Sequence, residues 1–158
     1  MATRATMATN DGLITLPSEH DWAETRARLD ARLARIGIRV TARIDHGANA
    51  RAAGMALRPT QLWLFGDARI GARLMEERQT VGIDLPAKML VWEDEDRRVW
   101  VTYVDPAYVR ERHGVEGQER VFRASSDALD SLARTVAGGG VDRATASALR
   151  NEGGAAYI

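Results

Sequence analysis

Two segments decide the fold of this chain: IDHGANARAAGMALRPTQLWLFGD, residues 44–67, and GIDLPAKMLVWEDED, residues 82–96. Within the first segment Leu62–Phe65 is continuously apolar, which predicts a strand with both faces covered. Such a strand is either central in its sheet, or covered by helices on one face and by a partner subunit on the other. The stretch from Ile44 to Trp92 therefore predicts the centre of a sheet.

The residues just before this stretch alternate in polarity. Ile38, Val40, Ala42 and Ile44 are separated by single polar or charged residues, a period of two that predicts a strand with one buried and one solvated face. The connection HGANARAAGMAL that follows is rich in alanine and glycine and predicts a loop with one helical turn.

The second segment predicts a hairpin. The strand Ala87–Trp92 leads into an acidic turn, EDEDRR, and Val99–Val104 returns antiparallel to it. A first strand is expected around Leu13–Leu16, before Pro17.

Helical periodicity flanks the strands on both sides. One stripe lies ahead of the glycine at position 37, a second helix is expected to start at Asp67, and residues after a cap at Ser125–Asp127 form a third. The residues of the first stripe are Trp22, Leu29, Leu33 and Ile36.

The composition is that of one soluble globular domain. The chain has 158 residues, 45% hydrophobic and 28% charged, with 22 basic residues balanced by 22 acidic ones. The arginines are interspersed with acids, which argues against a nucleic-acid-binding surface. There is no cysteine, so disulfides, thiol nucleophiles and cysteine-bound metals are excluded.

The termini differ from the middle of the chain. Residues 1–10 are expected to be disordered, residues 11–137 to form a single α/β domain, and residues 138–158 to be a glycine-rich linker with a weakly docked or disordered tail. Neither a signal peptide nor a membrane span is recognisable, so a cytoplasmic protein is expected, without membrane partners.

His46 is the first candidate for acid–base chemistry, because an imidazole has an ordinary pKa suited to proton transfer. Asp45 is adjacent, but successive strand side chains point to opposite faces, so an acidic partner is expected from elsewhere, at Asp84 or Glu93. The alternative is a histidine that fixes the end of the strand through a backbone hydrogen bond.

A second set of polar residues is suited to holding a small anionic molecule. Arg58 and Lys88 would supply positive charge, while Gln61 and His46 would supply hydrogen bonds. The alternative is that both cations form structural ion pairs with neighbouring carboxylates. The three histidines show no metal-ligand spacing, so no metal and no cofactor are expected.

Six short motifs in the right order give this chain a strong resemblance to a bacterial and archaeal family, the domain of unknown function 302 family. The resemblance covers Leu13 to Gly114. The motifs are Ile44-Asp45-His46, Arg58-Pro59-Thr60, Phe65-Gly66, Leu74-Met75, Leu85-Pro86 and Trp92-Glu93-Asp94.

The resemblance implies an α+β fold, a two-layer sandwich with a mainly antiparallel sheet and helices on one face. It is of the β-α-β(4)-α-like type grouped with TATA-box-binding-protein-like folds. The resemblance also implies a homodimer, and it implies no activity. The hairpin glycine of the family is replaced by Arg97, which predicts a looser or longer turn.

Three hypotheses of function follow. The leading one is a homodimeric module that binds a small anionic molecule through His46, Arg58, Gln61 and Lys88. The second is an enzyme that uses His46 as a general acid or base with an acidic partner. The third is a purely structural dimerisation module, with an apolar interface over Leu62–Phe65 or Trp100.

Overall fold

The computed structural model describes residues 7–8 and 11–139. The strands are β1 (Met7–Ala8), β2 (Leu13–Pro17), β3 (Val40–Asp45), β4 (Thr60–Phe65), β5 (Ala87–Glu93) and β6 (Val99–Val104). The helices are α1 (Trp22–Arg35), α2 (His46–Ala52), α3 (Ala68–Glu77), α4 (Pro106–His113) and α5 (Glu119–Ala137), with a 3-10 segment at Gln79–Asp84.

The terminal predictions lie mostly outside these residues. Within the segment expected to be disordered, Met7 and Ala8 form β1 and pair with β2. The predictions for the other residues before 11 and for residues 140–158 lie outside the described residues. Among the described helices, none combines the length and apolar character that crossing a bilayer requires.

The strands form one antiparallel sheet in the order β1-β2-β6-β5-β4-β3. The α+β prediction is thereby confirmed, as is the hairpin of β5 and β6. The turn is not loose, however. Arg97 adopts the left-handed conformation that the glycine would take, with φ 62°, and Asp94 accepts hydrogen bonds from the backbone N–H groups of Asp96 and Arg98.

One face of the sheet packs against α1 and α5. Its side chains include Trp63, Phe65, Met89, Val91 and Val101, all fully buried. Within α1 the residues of the predicted stripe enter this core, with Leu29 and Leu33 also fully buried, so the predicted amphipathic helix is confirmed. The core therefore lies between one sheet face and two helices.

The predicted faces of β3 are wrong beyond its first residue. The register shifts between Val40, which pairs with Phe65, and Ala42, which pairs with Leu64. This bulge inserts one extra residue and reverses the alternation. Ala42 consequently lies on the face away from the helices and is exposed, while Arg43 lies on the helix side.

The last helix begins earlier than predicted. Ser125 was expected near its cap, but α5 starts at Glu119 and Ser125 is a fully buried residue inside it. The additional turns pack Phe122 into a second, smaller core with residues of α3, the 3-10 segment and α4. Apolar packing has outweighed the capping preference of serine here.

Asp30 of α1 joins the helix to the sheet through two neighbouring donors. Its Oδ1 accepts from the indole Nε1 of the fully buried Trp63 at 2.9 Å and from Arg43 Nη2 at 2.6 Å. The Arg43 side chain is 47% exposed, so its ion pair contributes little, whereas the indole N–H has no access to bulk water.

We predict that Asp30→Ala lowers the free energy of unfolding by about 2 kcal/mol, because it leaves the Trp63 N–H without an acceptor. Arg43→Ala is the matched control and should cost less than about 0.5 kcal/mol, since it removes only a solvated ion pair. Urea unfolding followed by tryptophan fluorescence measures both. Equal losses in the two variants would contradict this account.

Candidate functional site

The four residues expected to bind a ligand do not converge. Gln61 pairs with Val91 on the helix side of the sheet and is 5% exposed, whereas Lys88 pairs with Leu64 near the other end of the strands. The two positions are three residue steps apart along β4, about 10 Å. Arg58 and His46 lie at the same end of the strands as Gln61. Lys88 is therefore the one of the four residues that is distant from the others.

His46 has neither predicted acidic partner. It is the first residue of α2, and Asp45 caps that helix by accepting from Ala48 N at 2.8 Å. Within residues 11–139 the His46 ring is bonded to no carboxylate. Glu93 lies 3.8 Å from Arg97 instead, and Asp84 pairs with a different histidine. His46 therefore lacks the dyad that general acid–base catalysis would use.

The histidine paired with Asp84 is His113, at the C-terminal end of α4. Its Nε2 lies 2.6 Å from Asp84 Oδ2, and its Nδ1 lies 3.3 Å from Thr80 Oγ1. The His113 side chain is 8% exposed and that of Asp84 is 17% exposed. The 3-10 segment and α4 thus form a hydroxyl–imidazole–carboxylate chain whose imidazole and carboxylate are largely buried and whose hydroxyl, on Thr80, is exposed.

Two cations complete this cluster. Arg112 Nη1 lies 3.2 Å from Asp84 Oδ1, and Lys88 Nζ donates to the backbone oxygen of Asp84 at 2.9 Å. Burial lowers the pKa of Lys88 below its ordinary value, and the negative charge of Asp84 opposes this effect without cancelling it. Lys88 is therefore easier to deprotonate than a solvated lysine.

A small recess lies beside Lys88, between the start of β5 and the helices α4 and α5. It has room for about one water molecule and is partly open to solvent. Five of its seven lining residues are apolar. The lining is Asp84, Ala87, Lys88, Val104, Pro106, Val109 and Leu129.

Chemically, the cluster places an imidazole–carboxylate pair close to a primary amine. No group of three or more potential metal-ligating side chains occurs within the described part of the chain. The sequence suggested Asp84 as an acidic partner of His46 or as an ion-pair partner of Arg58 or Lys88, and His113 was one of three histidines without metal-ligand spacing. Asp84 and His113 are 29 positions apart, and only the packing of α4 against the 3-10 segment brings them together.

The face of the sheet that points away from α1 and α5 carries a continuous apolar patch, here called the open face. Its residues are partly exposed and belong to neither core: Ile44, Leu62, Leu64, Leu90, Trp92 and Trp100. They are neighbours in register, with Ile44, Leu62 and Leu90 side by side on β3, β4 and β5. The rings of Trp92 and Trp100 are stacked, with centroids 6.0 Å apart.

Comparisons with known proteins identify a family. The family model described as "Domain of unknown function DUF302" matches residues 14–132. An uncharacterized conserved DUF302 protein from Bacillus stearothermophilus has a similar crystal structure, with a TM-score of 0.70 at 17% identity, covering 79% of this chain and 98% of that one. At 17% identity, the similarity to this crystal structure shows the fold alone.

Named relatives match over part of their length. A protein of Brucella suis biovar 1 (strain 1330) called "Fluoride-specific ion channel FluC 1" is 43% identical over 106 residues, 67% of this chain and 42% of the relative. A protein of the same name from Brucella abortus biovar 1 (strain 9-941) is equally similar, with 39% of its length covered. The chain thus spans about two fifths of these relatives.

We predict that the two histidines differ sharply in their contribution to stability. His113→Ala should lower the free energy of unfolding by about 2 kcal/mol, because it removes a desolvated hydrogen bond to a carboxylate. The control, His46→Ala, should change the free energy by less than about 0.5 kcal/mol, since the ring is partly exposed. Chemical denaturation measures both, and equal sensitivity would contradict the assignment of the Asp84 partner.

Proposed function

The chain belongs to the DUF302 family, and from that premise we propose that it is a self-association module whose homodimer is held together by the open face. One observation carries the proposal: the open face is apolar, contiguous and outside both cores. An apolar patch of this kind on a soluble domain marks an interaction surface. It also accounts for a strand such as β4 that is apolar on both of its faces.

A second copy of the chain is the occupant that suits this surface. Two-fold dimers are the most common assemblies of soluble proteins, and their interfaces use the same patch on both subunits. The open face consists of leucine, isoleucine and tryptophan, so it is complementary to itself. Sheets stack face to face at about 10 Å when both inner faces are apolar. Lys88 lies at one end of the patch, away from its centre.

The channel relatives support an accessory role for such a domain. In those polypeptides the region similar to this chain is about two fifths of the length, and the described helices here include none that crosses a bilayer. We propose that this region is not the pore of those proteins. Its self-association would join two polypeptides outside the membrane, and in the present chain it would act in the same way.

We predict that the wild-type protein is a dimer and that Leu90→Arg makes it monomeric, because a charge at the centre of a two-fold interface meets its own copy and is desolvated. The side chain of Leu90 is partly exposed in the single chain, so the variant should still fold. Size-exclusion chromatography with light scattering and sedimentation velocity measure the mass, and circular dichroism checks the fold.

Ile83→Arg is the matched control. Ile83 is 76% exposed in the 3-10 segment, outside the open face, and the same substitution there should leave the dimer intact. A wild-type protein that is monomeric at all accessible concentrations would overturn the proposal. So would a folded Leu90→Arg variant that dimerises as tightly as the wild type.

A further inference from the structure

Two stacked tryptophans on the open face have their indole N–H groups tied down by hydrogen bonds within one chain. Trp92 lies on β5 and pairs with Trp100 on β6, and the two ring planes are inclined by 21°. We propose that this pair is the dominant contact of the open face in self-association, and that Thr102 and Asp94 position it. The inference rests on the proposed function, because it identifies the part of that interface that determines the affinity of two copies for each other.

Both indole N–H groups already have acceptors in the single chain. Trp92 Nε1 donates to Thr102 Oγ1 at 2.9 Å, and Trp100 Nε1 donates to Asp94 Oδ2 at 2.9 Å. A partner that covers a tryptophan ring also removes water from it, so an N–H without an acceptor would oppose association. Because both donors are satisfied, a second copy can cover the two rings without this penalty.

The two acceptors are themselves held by neighbouring groups. The Thr102 hydroxyl lies 2.9 Å from the hydroxyl of Thr15 on β2, and Thr102 is only 9% exposed. Asp94 accepts from two backbone N–H groups of the turn through its other oxygen. The hydrogen bond from Trp100 lowers the pKa of Asp94 below its ordinary value, so the carboxylate stays ionised and able to accept. The rings are thus oriented before a partner arrives, which reduces the entropy lost on association.

The tryptophan pair is continuous with the surface around Leu90. Trp92 follows Leu90 by two residues on the same face of β5, and the rings of Trp92 and Trp100 are partly exposed in the single chain. Tryptophan is strongly enriched among the residues that dominate binding in protein interfaces, because one ring contributes a large contact area. None of the six open-face residues is ionisable, so two copies can meet there without burying a charge. A second copy of the chain is therefore the partner that suits the pair.

Loss of the Thr102 hydroxyl should consequently weaken the dimer more than it weakens the fold of one chain. In a single chain the freed N–H of Trp92 can bond to water, because the ring is partly exposed. In the dimer the ring is covered and the N–H has no acceptor. This difference separates a positioning role of Thr102 in association from a purely structural one.

The dissociation constant of the dimer tests the proposal, measured by sedimentation velocity over a dilution series of the full-length chain. Trp100→Ala should raise this constant by about 30-fold or more, as expected for a residue that dominates an interface. Thr102→Val should raise it by about tenfold, because each copy then carries an unsatisfied indole N–H. Thr102→Ser keeps the hydroxyl and should bind within about twofold of the wild type. Circular dichroism establishes that each variant is folded.

Two backgrounds serve as matched controls. In the Leu90→Arg background, which is expected to be monomeric, Thr102→Val should leave the midpoint of urea unfolding nearly unchanged. Trp92→Phe keeps an aromatic ring but removes the donor, so in that background Thr102→Val should not raise the dissociation constant further. An equal increase with and without the Trp92 N–H would overturn the positioning role of Thr102.

The outcomes separate this inference from the proposed function. A monomeric wild-type protein would overturn both. A wild-type dimer whose dissociation constant is unaffected by Trp100→Ala would overturn the inference alone, since the two copies would then meet elsewhere on the chain. A dimer weakened by Trp100→Ala and Thr102→Val, and preserved by Thr102→Ser, supports it.

Discussion

A buried indole N–H needs a hydrogen-bond acceptor. The acceptor of the Trp63 N–H lies on a helix, so this hydrogen bond constrains how the helical layer packs on the sheet. Trp63 is fully buried in the sheet, and its N–H is satisfied by Asp30 on α1. The bond sets the position of α1 along the sheet to within a hydrogen-bond length. With α1 fixed in this way, Leu29 and Leu33 fall into the core. A shift of α1 would leave the buried indole N–H unsatisfied, which adds a cost beyond the loss of apolar packing.

Most elements of the fold follow from local patterns in the sequence. The hairpin, the amphipathic α1 and the cap at Asp67 were predicted from hydrophobic periodicity and capping residues, and the structure confirms each of them. The faces of β3 could not be predicted, because a bulge leaves the alternation of polarity in the sequence unchanged while it reverses the faces. The start of α5 was missed because burial of Phe122 outweighs the preference of serine for caps.

The candidate site was the hardest part to predict. His46 was a candidate because it follows a strand, yet its neighbour Asp45 caps α2, and no carboxylate of the described residues is bonded to its ring. The pair that does form, Asp84 and His113, depends on contacts between segments 29 residues apart. Lys88 was predicted as one of four ligand contacts, but the register of the strands places it away from the other three. Long-range packing, which the periodicity of the sequence does not encode, therefore determines which side chains meet at the candidate site.

The bulge at the edge strand β3 has a consequence for how large an assembly can grow. A sheet edge with regular spacing of N–H and C=O groups invites another chain to extend it, and such growth has no natural end. In β3 the register is interrupted between Val40 and Ala42. Extension strand by strand is therefore disfavoured at β3. The same irregularity that defeats the polarity pattern therefore also disfavours growth of the sheet beyond β3.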